Sequence, residues 1–329
     1  MCQAIGLNKF LASLGCCSGP AYLLSWGAVV LYTTFGGLLA VVWTDAIQAA
    51  VMIGMLLVAF FATLLPNMPA IVAQGSQMGL SMTDVSISSL LYPLCFIFVQ
   101  QDMAQRCFAA KSPRDATIGS VSAAVCLALL TGIPTVCGLF GRVLHLSPND
   151  GAIFMQVMER VSHPIVAMMA ASAVLLAIIS TASAILLALS SNVATDLVGT
   201  NSKGQLITLL IGIGALFGPL VSDDIIGALV VSYEVAVGAL FIPTVYAVLS
   251  KKPRLPKQAA LLSAALGSLG TLCAQLFHLG VMGALLPLLL SAAGFALGMG
   301  IYSPCRSRIA LQTSATEAAS GAASFPKEP

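Results

Sequence analysis

Ser180 and Thr181 stand side by side in the middle of an apolar run, Leu175–Asp196, which reads LLAIISTASAILLALSSNVATD. Ser183, Ser190, Ser191 and Thr195 follow, and Asp196 closes the run. Hydroxyl, carbonyl and carboxylate oxygens are what a small hard cation such as sodium takes in preference to sulfur or nitrogen. A lipid-facing helix has no need of such a cluster. Taken singly, each Ser or Thr has a more ordinary use: it bonds back to a carbonyl one turn earlier, or joins one helix to another. The cluster gains meaning only from its context.

Three further groups bear on that context. Asp45 follows the apolar segment that ends in Val41-Val42-Trp43-Thr44. A carboxylate at a membrane edge is costly unless it lines a cation path; the alternative is a helix N-cap, where Asp is favoured. Gln100, Gln101 and Asp102 follow the apolar Phe98-Val99. Two amides and an acid beside a span are expensive unless they face a cavity, and the alternative is a polar helix end running into Arg106 and Lys111. Tyr233 and Glu234 form a polar pair inside another apolar run, either a gate or an isolated buried pair, with Pro243 expected to kink that run. No catalytic pairing is legible: His145, His163 and His278 stand singly in loops, so an enzyme is not expected.

The elements that carry these residues follow from composition. Of 329 residues, 58% are hydrophobic and 8% charged, against roughly 25% charged in a soluble domain. No globular fold hides that much apolar surface, so the expected solvent is lipid. The formal charge of +2 points to no nucleic acid. The nine cysteines are scattered without a C-x-x-C, which argues against a disulfide framework or a zinc site.

The fold class expected is an all-α polytopic membrane protein of about nine transmembrane helices, each near the roughly 20 residues a bilayer needs. They are Tyr22–Val42, Ala46–Leu65, Ile87–Gln105, Ala116–Phe140, Pro164–Val193, Gln205–Val221, Ile225–Leu249, Ala259–Phe277 and Gly283–Tyr302. An amphipathic run, Ala152–Val161, reads as a short interfacial helix, and 66–86 as a polar connection. Three regions are expected: 1–20, a helix end (Ala4–Gly15) and a turn at Gly19-Pro20; 21–303, the helical bundle; and 304–329, a disordered Ser/Ala/Thr-rich tail. Eleven of the 14 Lys and Arg residues, among them Arg106, Lys111, Lys203 and Lys251, fall after odd-numbered spans, and only Lys9, Arg142 and Arg160 fall on the other side. The positive-inside rule then puts the C-terminus in the cytoplasm of a multi-pass inner or plasma membrane protein.

Three motifs resemble the sodium/solute symporter family, which includes the sodium/proline, sodium/pantothenate and sodium/glucose symporters. They are Y-x-x-x-G-G-L-x-A-V-x-W-T-D-x-I-Q at Tyr32–Gln48, Q-R-x-x-A-A-K-S at Gln105–Ser112, and A-I-I-S-T-x-S-A-x-L-L-x-x-S-S-x-x-x-x-D-L at Ala177–Leu197. Gly138-Leu139-Phe140-Gly141-Arg142 is also similar, and the match is collinear up to about Tyr302. The resemblance implies two inverted five-helix repeats working by alternating access, with sodium bound where a broken helix meets an intact one. Carried over by motif, the sodium ligands are the Ala177 carbonyl and the Ser180 and Thr181 hydroxyls. These residues are three and four apart and share one helix face. Asp45 falls on the sodium exit path, and Ile97, Gln100 and Gln101 on the substrate-facing side. Gln100-Gln101 departs from the Asn-Gln pair of the family's sugar carriers, so a small amino acid such as proline, or an organic acid or vitamin, fits at least as well as a sugar.

The resemblance also implies about four helices ahead of the point where this sequence starts, so the five-plus-five fold is expected to be partial. The functional expectation is sodium-coupled symport of a small organic solute. The expected partners are the lipid bilayer, the solute and a separately encoded or upstream N-terminal half. The alternative is a degenerate remnant, a non-transporting membrane scaffold.

Overall fold

The computed structural model describes residues 2–15, 18–77, 87–147, 153–199, 203–221, 225–250, 256–277, 283 and 285–301. Among these every regular element is a helix. In chain order they are α1 (Cys2–Ser13), α2 (Ser18–Ala59), α3 (Leu65–Gln77), α4 (Ile87–Phe96), α5 (Gln101–Ala109), α6 (Pro113–Val143) and α7 (Ile153–Val161). Then come α8 (Pro164–Asn192), α9 (Gly204–Leu216), α10 (Gly218–Val221), α11 (Ile225–Leu249), α12 (Lys257–Leu276) and α13 (Leu285–Ile301). Two π-helical turns, Phe60–Leu64 and Val193–Val198, extend α2 and α8.

Five helical stretches are long and apolar enough to cross a membrane: Gly19–Gln74, Pro113–Val143, Pro164–Val198, Gly227–Leu249 and Lys257–Leu276. Gly204–Leu220 and Leu285–Ile301 are shorter but also apolar. Large apolar side chains face outward on several of them, including Leu24 (76% exposed), Leu129 (74%) and Met168 (70%). In an α-helix every backbone polar group is satisfied within the segment, which is the condition for residence in hydrocarbon.

Several boundaries differ from those read off the sequence. The first two spans are not separated at Val42–Ala46: the helix runs through Asp45, and the interruption is at Gly37 (φ 61°, ψ −164°). Only glycine takes that conformation without strain. The 56-residue stretch Gly19–Gln74 would be about 84 Å long as one straight helix, far more than one crossing needs. The third span is not continuous either. It stops at Phe96, turns over 97–99 and restarts at Gln101. At the N-terminus the turn is at Gly15 (φ 69°), while Gly19-Pro20 lies in the first turn of α2, where the missing proline N–H costs nothing. Most of the 66–86 connection that is described is the helix α3. The tail, Lys251, Lys252 and Arg254 lie outside the described residues.

The chain divides into two compact units. Unit 1 comprises 1–82 and 101–225; unit 2 comprises 83–100 and 226–329. Unit 1 is centred on α2 and α8. Tyr22, Trp26, Val29 and Val30 of α2 pack with Ala182 and Leu186 of α8. Trp26 Nε1 donates to the Gly212 carbonyl and Tyr22 Oη to the Leu216 carbonyl, each at 2.9 Å, which fastens α9 to α2. A second cluster joins Ala59, Leu64 and Ile71 to Phe140 of α6, Met158 of α7 and Ala170 of α8.

Within unit 2, Tyr92, Cys95 and Val99 pack against Val237. The Phe96 and Tyr233 rings stack with centroids 4.4 Å apart. The α11 and α12 backbones touch at Gly238 and Gly267, where a Cβ on Gly267 would lie 1.8 Å from the Gly238 carbonyl oxygen. The Ser263 and Ser291 hydroxyls, 2.9 Å apart, tie α12 to α13.

Candidate functional site

Three helices of unit 1 bring the oxygen-bearing residues together. The segment of α2 beyond Gly37 carries Asp45 and, one turn on, Gln48. The middle of α8 carries Ala177, Ser180 and Thr181, and α5 carries Arg106. Asp45 is 7% exposed. Its Oδ1 accepts a hydrogen bond from Ser180 Oγ at 2.7 Å, and its Oδ2 accepts from Arg106 Nη2 at 2.6 Å. Asp45 is therefore an interior carboxylate bridging helices, and the N-cap alternative does not describe it, because the helix continues on both sides.

The neighbouring turn of α8 is also arranged through oxygens. Thr181 Oγ1 donates to the Ala177 carbonyl at 2.8 Å, and Ser183 Oγ donates to the Ser180 carbonyl at 2.9 Å. Each hydroxyl that donates keeps its lone pairs for another acceptor role. A cavity of about 120 Å³ borders this turn, lined by Gln48, Ala49, Met52, Ala177, Ser180 and Thr181. A larger one of about 380 Å³, lined by Met52, Leu56, Phe154, Ala177 and Thr181 among others, borders the same face. The Gln48 side-chain oxygen is buried and has no hydrogen-bond partner among the described residues. An amide oxygen left so in an apolar bundle is costly unless something supplies it a positive charge or a proton donor. Beside the Met52 thioether, the smaller cavity's lining carries the oxygens of Gln48, Ser180 and Thr181, the ligand type that suits a hard monovalent ion.

The structure brings together four of the seven residues singled out from the sequence: Asp45, Ala177, Ser180 and Thr181. Gln101 lies in the same unit at the start of α5, where its side-chain oxygen accepts from Asn192 Nδ2 at the end of α8. Ile97 and Gln100 belong to unit 2. Ile97 is 59% exposed, and Gln100 is half-buried. Glu234 is buried in unit 2 and its Oε2 accepts from Gln275 Nε2 at 2.6 Å, so the polar pair at Tyr233-Glu234 has partners on both α4 and α12.

Three participants went unrecognised. Arg106 reads in the sequence as a membrane-edge charge; nothing local announces a partner 61 positions away. Asn192 had no signal beyond its place at the end of an apolar helix. Gln48 did have one: three residues after Asp45, it must share that residue's helix face.

A family model for the sodium:solute symporter family (SSF) matches residues 3–205. The high-affinity proline transporter PutP of Bacillus subtilis (strain 168) is 30% identical over 275 residues, covering 74% of this chain and 56% of that protein. The chain thus spans about half the length of the curated relative it matches. No solved structure matches.

Proposed function

This chain belongs to the sodium:solute symporter family, and from that premise we propose that it carries the ion-coupling half of a sodium-driven symporter for a small organic solute. The observation that carries the reading is the hydrogen bond of Ser180 to Asp45 beside the Thr181–Ala177 bond, in an otherwise apolar bundle. Sodium is cargo here. It is held by the Ala177 carbonyl and the Ser180 and Thr181 hydroxyls, with Asp45 at the start of its way out. Neutral ligands with one carboxylate nearby give the weak, reversible hold that a transported ion needs. Binding that is too tight would stop release.

Ile97, Gln100 and Gln101 face the solute, a role that the motif resemblance gives them, and an interrupted helix such as this one between Phe96 and Gln101 is a common feature of transporter sites. The similarity to a proline transporter favours a small amino acid. Helices equivalent to the remainder of such a transporter, in the same polypeptide or in a separate one, complete the sodium and solute sites by alternating access within the five-plus-five repeat. The basic residues that follow odd-numbered spans in the sequence favour a cytoplasmic C-terminus.

The test is uptake of radiolabelled proline, a second amino acid and a sugar into proteoliposomes under an imposed sodium gradient, with the protein purified from its native membrane together with any associated chain. Ser180→Ala combined with Thr181→Ala should lower apparent sodium affinity roughly tenfold or more, about 1.4 kcal/mol, while expression is unchanged. Equal sodium dependence in variant and parent overturns the site. Absence of sodium-driven uptake for every solute tested overturns the symport reading.

A further inference from the structure

Both oxygens of Asp45 are already engaged, one by a neutral hydroxyl and one by a full positive charge. The carboxylate is fixed and buried, at 9% side-chain exposure, whereas the Arg106 side chain is 43% exposed. The helix that carries Arg106 contributes no buried residue. The ion pair ties α5 to α2, and a hydrogen bond between Gln101 and Asn192 ties it to α8. An arginine can withdraw its guanidinium to water along a flexible apolar stem at little cost, and a buried aspartate cannot follow it.

Charge makes the arrangement consequential. Asp45 with Arg106 is neutral. A cation arriving at Ser180 Oγ, itself 2.7 Å from Asp45 Oδ1, would add an uncompensated charge to an apolar bundle as long as the guanidinium stays. If the guanidinium leaves, the carboxylate neutralises the newcomer. A single buried carboxylate offers full compensation to one monovalent cation at a time.

We propose that Arg106 is the resident counter-cation of Asp45 and competes with sodium for that carboxylate, so that occupancy by sodium requires Arg106 to swing away and its return expels the ion. This rests on the sodium-site reading above and deepens it. Arg106 is then a positioning residue that holds sodium affinity low enough for release. It also ties the position of α5 to the state of the ion site, since α5 loses its charged anchor whenever sodium is held.

The experiment is equilibrium binding of radioactive sodium to the protein purified from its native membrane together with any associated chain and placed in lipid nanodiscs, with potassium as the control ion. In the parent, sodium binds and Ser180→Ala with Thr181→Ala weakens it. Arg106→Gln should tighten sodium binding about tenfold, the direction expected when a competing charge a few ångströms away is removed. Arg106→Lys should stay nearer the parent, and Asp45→Asn should cancel the gain of Arg106→Gln. No tightening in Arg106→Gln, or a gain that survives Asp45→Asn, overturns the competition while leaving the sodium site standing. Parent binding that is absent, or indifferent to Ser180 and Thr181, overturns the site and the inference with it.

Should Arg106→Gln fail to fold, the unaltered chain supplies a second measurement. Phenylglyoxal modification of Arg106, followed by peptide mass spectrometry, should run severalfold faster in sodium than in N-methylglucamine. Equal rates overturn the proposal.

Discussion

Asp45 and Glu234 are both buried carboxylates in apolar helices, yet they are satisfied in different ways. Asp45 meets a cation and a hydroxyl; Glu234 meets the amide of Gln275. The consequence can be measured on stability. Gln275→Leu leaves the Glu234 carboxylate without that donor and should destabilise the protein by about 1–3 kcal/mol, seen as a lower unfolding midpoint in detergent. Replacing both, Glu234→Leu with Gln275→Leu, should recover part of that loss, because neither member of the pair is then left without the other. At this scale the sequence was informative about residue type and local spacing. Asp45 beside Trp43-Thr44, and Ser180 next to Thr181, stand out because polar groups are costly where they lie. The partner of Asp45 was not legible, since an arginine one residue beyond a predicted span looks the same whether it faces water or a carboxylate. Gln101 was visible as an amide near a span, but its bond to Asn192 depends on how α5 and α8 meet.

Helices were legible as apolar runs, and their interruptions were not. The fourth, fifth, seventh and eighth spans lie close to α6, α8, α11 and α12, because each is a long apolar run bounded by polar residues, proline or glycine. The break between α4 and α5 falls in Ile97-Phe98-Val99-Gln100, which contains neither glycine nor proline; Pro93, the nearest such residue, sits inside α4. The interruption at Gly37 falls in a Gly-Gly pair, which permits either close helix contact or a break. Gly37→Ala should cost about 1–3 kcal/mol, the strain of forcing a side chain into a glycine-only conformation, whereas Gly27→Ala, with open space around its Cβ position, should be close to neutral. Thermal unfolding of the two variants side by side checks this. Gly267→Ala is expected to be worse tolerated than Gly27→Ala for a different reason. Its Cβ would meet the Gly238 carbonyl oxygen at 1.8 Å, a backbone atom that cannot rotate aside. The α11–α12 contact must therefore open, at a cost of about 1–3 kcal/mol.

For the molecule as a whole, composition decides the solvent, and the expected orientation rests on the basic residues. A fluorescent protein fused after Pro329 should fold and emit, and alkaline phosphatase fused at the same place should be inactive, if the C-terminus is cytoplasmic; the opposite pair of results reverses the orientation. The division into two units was invisible in the sequence because it follows long-range packing and not chain order. It also has a temporal side. Unit 1 is sewn from two stretches, 1–82 and 101–225, with 83–100 belonging to unit 2. The bond between Asp45 and Ser180 joins positions 135 residues apart. A ribosome adding about 5–20 residues per second needs on the order of ten seconds to make that interval. For that time α2 stands in the membrane with no α8 to cover its carboxylate, while α4 waits longer still for its own companions to be made. Neither unit can close before the other has begun, so the nascent chain must pass through a period in which its most costly polar group is guarded only by whatever else is at hand. Arg106 emerges well before Ser180, and its ion pair with Asp45 can form first. The same contact proposed to compete with sodium in the finished protein would then shelter the carboxylate while the protein is still being built.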